Sequence, residues 1–361
     1  MALKCGIVGL SLVGKTTIFN CFSSAHSQSG GGTKAHIGTI HVPDQRLYEI
    51  DKLIKSAKVI PATVEIVDIP GLTKGGSQIE GSGNKFLADI QQTDAIIHVL
   101  RCFDDDTVPH IEGSVNPVRD REIVDLELQI RDIDMVDRKI TRTEKLVRSG
   151  EREAKHILEV LHKVKAHLEN FQNARTLDLH EEERRHTTDM YLLTAKPVLY
   201  VCNVDEGSAI SGNDYVNAFK ESIAHEEAEI LIVAGKLEAE ISELEDLEDR
   251  MAFLVDAGLK EPGVNRLLQT AYQMLNLQSF FTAGPKEVRA WTIHKGETAQ
   301  QAAGTIHSDL ERGFIRAEVM KYDDFIEHGS EHALKEIGKL HIQGKHYIVE
   351  EGDIMHVRFN V

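Results

Sequence analysis

The stretch Gly9-Leu10-Ser11-Leu12-Val13-Gly14-Lys15-Thr16 decides the fold of this chain of 361 residues. It matches the pattern G-x-x-x-x-G-K-[ST], which forms a phosphate-binding loop between a strand and a helix. An apolar, strand-like run at 5–8 precedes it, and a helical segment at 16–22 follows. In such a loop the backbone N–H groups and the helix N-terminus surround a phosphate, Lys15 reaches the β- and γ-phosphates, and the Thr16 hydroxyl binds Mg²⁺. The stretch therefore predicts a nucleoside triphosphate site.

Further apolar runs rich in β-branched residues predict the strands of a buried parallel sheet. Amphipathic or mixed segments such as 83–90 separate them. Alternation of strands and helices requires crossover connections, so it predicts a doubly wound, mostly parallel α/β sheet. The predicted strands after the first are 64–69, 95–100, 198–202 and 230–233.

Residues 120–189 interrupt this pattern with charged sequence in which apolar residues recur every three or four positions. Such spacing predicts two long helices, joined near Ser149-Gly150, that form a coiled hairpin inserted into the α/β domain. The two apolar stripes are Ile130, Ile133, Val136 and Ile140, and then Ile157, Val160, Leu161, Val164 and Leu168.

The pattern changes again after Glu261-Pro262-Gly263 and a helix predicted at 264–275. From 280 to the end, strand-like runs stand among a few helical turns, which predicts a small mixed α+β domain. Its predicted strands are 288–293, 315–320, 347–350 and 354–359.

Composition limits the classes of protein to which the chain can belong. It has 41 Lys and Arg against 58 Asp and Glu, a net charge of −17, with 41 % apolar and 27 % charged residues. These fractions are typical of soluble globular proteins, and no apolar run approaches the ~20 residues of a membrane span. The charge disfavours a broadly basic nucleic-acid surface, although it allows a local basic patch. Four cysteines without C-x-x-C spacing disfavour a zinc module or a disulfide framework.

A second motif, Asp68-Ile69-Pro70-Gly71, directly follows the strand-like residues 64–67. At the end of a strand beside a phosphate loop, Asp68 can hold Mg²⁺ through water and the Gly71 N–H can contact the γ-phosphate. The order and separation of the two motifs are those of guanine-nucleotide switch proteins. A glycine-rich surface turn is the alternative reading of the second motif.

The third motif is Asn203-Val204-Asp205-Glu206, at the end of the strand predicted at 198–202. In nucleotide switch folds this position carries N-K-x-D, whose Asp accepts hydrogen bonds from guanine. Here Val204 replaces the Lys, and Glu206 supplies a longer carboxylate. We therefore expect weaker selectivity for guanine, with adenine tolerated or preferred.

With these motifs in place, the chain closely resembles the YchF family, the Obg-like ATPases within the translation-factor class of P-loop proteins. The resemblance extends over essentially the whole length and includes separated stretches outside the three motifs. These stretches are Lys4-Cys5-Gly6-Ile7-Val8, Gly83-Asn84-Lys85-Phe86-Leu87, His98-Val99-Leu100-Arg101-Cys102-Phe103, Val115-Asn116-Pro117, Phe281-Thr282-Ala283-Gly284, Lys286-Glu287-Val288-Arg289-Ala290-Trp291-Thr292-Ile293, Phe314-Ile315-Arg316-Ala317 and Phe359-Asn360-Val361.

The resemblance implies three domains. They are an Obg-type P-loop nucleotide-binding domain at 1–118 and 192–275, an inserted helical coiled-coil domain at 119–191, and a C-terminal TGS domain of β-grasp type at 276–361. It also implies hydrolysis of ATP in preference to GTP, a cytoplasmic location, and association with the ribosome through rRNA, ribosomal proteins or both. Neither DNA nor a membrane is an expected partner. By position, the resemblance implies that the phosphates are bound by Leu12, Val13, Gly14, Lys15, Thr16 and Thr17. It likewise implies that the base is contacted by Asn203, Val204 and Glu206.

Several positions depart from the patterns of relatives. The first switch, the loop in which relatives carry a Thr that binds Mg²⁺, is shorter in this chain than in the family. Thr33 is the nearest candidate for this second Mg²⁺ ligand. The phosphate loop has Ser11-Leu12 where the family usually has Pro-Asn. Leu72 stands where related GTPases have the Gln that orients the attacking water, and an apolar side chain cannot do so.

The resemblance implies that a histidine takes over the role of this Gln, and His110 matches that histidine by position. An imidazole that titrates near neutral pH can orient water or share its proton. A solvated histidine on an acidic loop is the alternative. The sequence thus predicts a slow Mg²⁺-dependent ATPase, with two other functions left open: a GTPase of the same fold, and a nucleotide-gated ribosome-binding module whose hydrolysis is incidental.

Overall fold

The structure is a computed structural model, and it describes residues 4–26, 36–69, 82–244 and 246–360. Of the positions discussed above, Thr33, Pro70, Gly71, Leu72 and Val361 lie outside the described residues.

The described residues include twelve strands and fourteen α-helices, joined by loops and short turns. The first half contains β1 (Lys4–Val8), α1 (Lys15–His26), β2 (His36–His41), α2 (Gln45–Ile54), β3 (Val59–Ile60), β4 (Thr63–Asp68), α3 (Ser82–Gln91), β5 (Ala95–Arg101), α4 (Pro117–Arg148), α5 (Arg152–Glu169) and α6 (Glu181–Thr188). The second half contains β6 (Val198–Asn203), α7 (Asp214–Ser222), β7 (Glu229–Val233), α8 (Gly235–Glu243), α9 (Leu247–Asp256), α10 (Gly263–Met274), β8 (Leu277–Ala283), β9 (Val288–His294), α11 (Ala299–Ile306), α12 (Ser308–Arg312), β10 (Phe314–Met320), α13 (Tyr322–His328), α14 (Glu331–Glu336), β11 (His341–Gln343) and β12 (Ile354–Phe359).

The first sheet has the strand order β2-β4-β1-β5-β6-β7. β1 pairs in parallel with β4 and β5, and β6 pairs in parallel with β5 and β7. Every residue of β5 and β6 is buried, as expected for strands covered on both faces. The predicted doubly wound α/β fold is therefore confirmed. In this register, Ile7 lies opposite Asp68 and Arg101 lies opposite Asn203, so the three motifs meet at one edge of the sheet.

Helices α4 and α5 form the predicted hairpin and join at Ser149-Gly150. The Asn116 side chain accepts a hydrogen bond from the Arg119 N–H and caps α4, and Pro117 occupies its first turn. Ile130 was predicted in the apolar stripe, yet it is 52 % exposed. Within the described residues, no helix is long and apolar enough to cross a membrane. The core of the hairpin includes Val136, Ile140, Val160, Leu161, Val164 and Leu168.

The second sheet has the order β11-β10-β12-β8-β9-β3 and mixes antiparallel with parallel pairs. It bears out the prediction of a mixed α+β region. The strand predicted at 347–350 was wrong, since this segment contributes only a bridge between Ile348 and Thr298. Strand β8 was not predicted, because it follows α10 without a turn signal and includes the polar residues Gln278 and Ser279.

The chain groups into two compact units, whereas the sequence predicts three domains. One unit contains Leu3–Gly38 and Glu65–Arg266, and the other contains Thr39–Val64 and Leu267–Val361. The helical hairpin belongs to the first unit, because buried polar contacts along α4 join it to the nucleotide-binding fold. The grouping of Thr39–Val64 with the C-terminal residues follows from the parallel pairing of β3 with β9 and was not predicted. The three-domain division remains a prediction.

Candidate nucleotide site

The loop between β1 and α1 contains two glycines that other residues could not replace. Gly9 and Gly14 have φ angles of 149° and 96°, which L side chains rarely adopt. A Cβ atom at Gly9 would lie 2.4 Å from the Val99 carbonyl oxygen, and one at Gly14 would lie 2.2 Å from Asn203 Nδ2. The loop can therefore keep this path, against β5 and β6, only with glycine at both positions.

Lys15 is the cation of the loop, and it is only 6 % exposed. Its Nζ donates a hydrogen bond of 2.6 Å to the Leu10 carbonyl oxygen, across the loop. Burial lowers the pKa of Lys15 to about 8, although the nearby Asp68 acts in the opposite direction. A buried ammonium group is stabilised by an anion, so this position favours a phosphate.

The Thr16 hydroxyl and the Asp68 carboxylate lie side by side. Thr16 Oγ1 donates a hydrogen bond of 3.2 Å to Asp68 Oδ2. The two residues come from the start of α1 and the end of β4, beside Lys15. Hard oxygen donors next to a phosphate site are the ligands that Mg²⁺ prefers, so this pair fits the predicted metal.

Asn203 joins two parts of the site through its side-chain amide. Its Nδ2 donates to the Val13 carbonyl oxygen at 2.9 Å, and its Oδ1 accepts from the Gly235 N–H at 2.9 Å. These bonds fix the phosphate loop to the N-terminus of α8. Asn203 is therefore a positioning residue, and its contact with the base remains a prediction.

A cavity of about 650 Å³ lies beside the loop. Most of the residues predicted to bind the nucleotide line it: Leu12, Gly14, Lys15, Thr16, Thr17, Asn203, Val204 and Glu206. Val13 lies behind the loop with its side chain fully buried, and only its carbonyl takes part, through Asn203. The sequence reasoning missed Phe103, Asp104, Asp105, Val108, Asp205, Lys236, Leu237 and Glu240.

The wall formed by the third motif contains little that recognises guanine. Val204 is 2 % exposed and offers no polar group there. The Asp205 carboxylate caps the turn that follows, accepting hydrogen bonds from the Ser208 N–H and hydroxyl. Glu206 is exposed at this wall, with Lys236 of α8 lining the same cavity.

A loop after β5 forms another wall, and a buried arginine holds it. The Arg101 guanidinium donates hydrogen bonds to the carbonyl oxygens of Phe103, Asp105 and Val108, at 3.1, 3.2 and 2.9 Å. Arg101 is 2 % exposed, and its guanidinium carbon lies 4.7 Å from the Phe103 ring centroid. An arginine at the end of a mostly apolar, fully buried strand was the sequence signal that could have located this wall.

His110 follows this loop but does not line the cavity. Its Nδ1 accepts a hydrogen bond from the Glu112 N–H, so its Nε2 carries the proton and donates to Asp120 Oδ2 at 2.9 Å. The side chains of His110 and Asp120 are 5 % and 1 % exposed. The structure thus brings Lys15, Thr16, Asp68 and Asn203 together and places His110 at the N-terminal end of α4.

Comparison with known proteins places this geometry in a family. A family model described as "50S ribosome-binding GTPase" matches residues 4–203, and one for the YchF-GTPase C-terminal domain, described as a protein of unknown function, matches 277–360. A protein of Haemophilus influenzae named "Ribosome-binding ATPase YchF" is 44 % identical over 365 residues, covering 100 % of both chains. A Bacillus subtilis protein of the same name is 44 % identical over 367 residues, again covering 100 % of both.

A solved structure agrees with the sequence matches. The structure of the Schizosaccharomyces pombe YchF GTPase superimposes with a TM-score of 0.89 at 33 % identity, covering 99 % of this chain and 97 % of that one. The similarity therefore includes both sheets and the helical hairpin.

Proposed function

The chain belongs to the YchF family, and we propose that it is a Mg²⁺-dependent ATPase that prefers ATP to GTP, turns over slowly and associates with the ribosome in the cytoplasm. Neither DNA nor a membrane is part of this proposal. The observation that carries the proposal is the cavity beside the phosphate loop. Its wall at the third motif lacks the Lys and the Asp that recognise guanine in this fold.

The phosphate end supports binding and hydrolysis of a triphosphate. The loop N–H groups and Lys15 would hold the β- and γ-phosphates, and Thr16 with Asp68 would hold Mg²⁺. The metal ion would neutralise phosphate charge. The protein's own contribution is to position these donors before the substrate arrives, which is the main source of rate acceleration in phosphoryl transfer. Thr33 is proposed as a further ligand and Gly71 as a further γ-phosphate contact.

The base end supports the preference for ATP. Guanine recognition in this fold uses an Asp that accepts from two donors on the base, and a Lys that packs along it. Here Val204 replaces the Lys, Asp205 is engaged in its own turn, and Glu206 is the carboxylate left at the wall. Adenine lacks the two donors of guanine, so the loss of the Asp that accepts from them does not weaken the binding of ATP.

Two features support slow turnover and a ribosomal partner. Leu72 directly follows D-x-x-G, where an apolar side chain cannot orient water. The relatives named as ribosome-binding ATPases match the chain over its full length, which supports association with the ribosome.

A GTPase is the second candidate function. The family model that matches 4–203 and the Schizosaccharomyces pombe structure are both described as GTPases. A nucleotide-gated module with incidental hydrolysis is the third, and Leu72 favours it. That module would bind ribosomes in an ATP-dependent way and still complement a deletion when hydrolysis is abolished.

Nucleotide competition tests the ATPase against the GTPase. We expect ATP to displace a fluorescent ATP analogue at a lower concentration than GTP does. Val204→Lys with Glu206→Asp should shift the ratio towards GTP by about tenfold or more, since the variant restores the Lys and the Asp that recognise guanine in this fold. Lys220→Gln, an exposed change on α7, is the control and leaves the ratio unchanged. Displacement by GTP at a far lower concentration than ATP in the unmodified protein would refute the adenine preference.

A further inference from the structure

The end of the helical hairpin has a charge opposite to that of the whole chain. We call residues 138–156 the hairpin tip, which comprises the last turns of α4, the connection at Ser149-Gly150 and the start of α5. The tip contains seven Lys or Arg and three Glu, a net charge of +4, in a chain whose net charge is −17. Positive charge is therefore concentrated at one small surface.

Six of the seven cations of the tip are exposed and, within the described ranges, form no ion pair with a carboxylate. The exception is Lys139, which binds Asp189 and the His186 carbonyl oxygen. Unpaired cations close together repel each other, and an external anion removes this cost. The six are Arg138, Arg142, Lys145, Arg148, Arg152 and Lys155.

The tip presents these cations on a rigid support. Thr143 and Ala154 are 4 % and 1 % exposed, so the two helices remain packed together close to their connection. Four of the cations are four, three and three positions apart along α4, which places them in one row along the helix. Arg138 stands 21 residues after Pro117, roughly 32 Å along the axis at 1.5 Å per residue.

We propose that the hairpin tip binds the phosphate backbone of RNA. This inference rests on the ribosome association proposed above and names the surface and the chemical group involved. Four of the six cations are arginines, whose planar guanidinium groups bind phosphate through two parallel hydrogen bonds. The tip contains no Phe, Tyr or Trp on which a base could stack, so its contacts are with phosphates and do not depend on base sequence.

The test uses the full-length protein and a fluorescein-labelled 20-base-pair RNA duplex, with affinity measured by anisotropy between 50 and 200 mM KCl. The tip variant combines Arg138→Gln, Arg142→Gln and Arg148→Gln. Its matched control combines Arg185→Gln, Lys220→Gln and Lys260→Gln, three exposed positions outside the tip. Melting temperatures show that both variants are folded.

We expect the tip variant to bind the duplex about tenfold or more weakly at 100 mM salt, and its slope of log K against log salt to fall by roughly two to three, since each phosphate contact contributes about 0.9 to that slope. The control keeps the affinity and slope of the unmodified protein. Equal affinities and slopes for the tip variant and the unmodified protein would overturn the proposal.

Sedimentation with purified ribosomes separates this inference from the proposed function. If the unmodified protein binds the duplex through the tip but does not sediment with ribosomes, the ribosomal partner is wrong and the RNA surface stands. If it sediments with ribosomes through the tip but does not bind the duplex, the tip contacts an acidic protein surface and the RNA assignment is wrong.

Discussion

Two buried polar side chains on neighbouring strands illustrate how single residues act in this molecule. Asn203 on β6 satisfies both ends of its amide, and so fixes the phosphate loop against α8. His98 on β5 is 2 % exposed, and within the described residues its Nε2 has no hydrogen-bond partner. Burial lowers the pKa of His98 to about 4. One residue stabilises the site, and the other makes stability depend on pH.

Replacing His98 is expected to reduce acid sensitivity. Its pKa is below the ordinary 6.5, so between pH 6.5 and 4 the unfolded state binds more protons and the free energy of unfolding falls as pH falls. From pH 7.5 to pH 5 this amounts to about 2 kcal/mol. We expect His98→Leu to lose that part of the pH dependence in urea unfolding. The nearby charged groups that also act on this pKa are Asp125, Arg121, Arg175 and Lys15.

The exposed His225, which is 66 % exposed at its side chain, provides the control for this measurement. His225→Gln should keep the pH dependence of the unmodified protein. A His98→Leu variant that still lost about 2 kcal/mol on acidification would show that other groups determine the acid sensitivity.

His110 allows a test of the proposed water-orienting role. Its ring is held by Asp120 at 2.9 Å, so a direct role requires the ring to leave that acceptor. If His110 acts on the water, His110→Ala lowers the single-turnover rate of ATP hydrolysis by about a hundredfold or more. Asp120→Asn, which keeps the ring and weakens its hydrogen bond, then preserves the rate or raises it.

Other outcomes of the same experiment assign His110 differently. Equal losses in His110→Ala and Asp120→Asn would mean that the pair only fixes the loop that lines the cavity. An unchanged rate in His110→Ala, with ATP binding intact, would remove the residue from the mechanism.

The residues of the candidate phosphate site could be brought together from the sequence, because Asp68 and Asn203 stand at the ends of predicted parallel strands. Lys15 and Thr16 begin the helix after the loop that follows another predicted strand. Parallel strands end at the same edge of a sheet, so order along the chain is enough to bring them together. Arg101 also follows a predicted strand, but the path of the loop that it holds and the position of Lys236 could not be found from the order of strands. Both depend on where a loop turns back, which apolar periodicity does not encode.

At the scale of elements, α4 combines a hairpin helix with a polar inner face. Its N-terminal half buries polar residues that bind other parts of the same unit: Asp120, Asp125, Gln129 and Asp132. Asp125 accepts from Arg121 and Asn173, and Gln129 donates to Asn173. This explains why Ile130 is exposed, since the inner face at that level is already occupied by polar side chains. A prediction based only on the spacing of apolar residues does not identify such a buried polar face.

Asp132 is the residue of that face whose substitution should have the largest effect. Its carboxylate accepts from the Leu193 N–H, the Thr194 N–H and the Thr194 hydroxyl, at 2.7, 2.7 and 2.6 Å. An amide would turn an N–H group towards one of these donors. We therefore expect Asp132→Asn to lower the free energy of unfolding by about 1 to 3 kcal/mol, measured by urea denaturation at pH 7.

The matched control is Asp134→Asn, an exposed position two residues further along α4. It should change stability by less than about 0.5 kcal/mol. Equal stabilities of the two variants would mean that the buried carboxylate does not hold the hairpin to the rest of its unit.

At the scale of the whole molecule, the C-terminal unit is assembled from two separated parts of the chain. Thr39–Val64 contributes α2 and β3, and Leu267–Val361 contributes the remaining strands. The Val288 N–H donates to the Lys58 carbonyl oxygen at 3.0 Å, and the Ala57 N–H donates to the Pro285 carbonyl oxygen at 3.1 Å. Strand β3 consists of only two residues, Val59 and Ile60, and is too short to give a strand signal of its own, so it could not be predicted without its partner β9. The sequence predicts a C-terminal domain at 276–361, which does not include Thr39–Val64, and these domain bounds remain a prediction.

Arg46 connects these two parts and allows a test of the assembly. Its guanidinium binds Asp44, the N-cap of α2, together with Glu351, and its central carbon lies 5.3 Å from the Phe281 ring centroid. Because the group is partly exposed, we expect Arg46→Met to cost about 1 kcal/mol. The amides of 45–58 should then exchange hydrogen about fivefold faster in full-length protein. Lys52→Met, an exposed change on the same helix, is the control and should leave that exchange unchanged. Equal exchange in the two variants would show that α2 is held by its own helical bonds and that the C-terminal unit does not depend on Arg46.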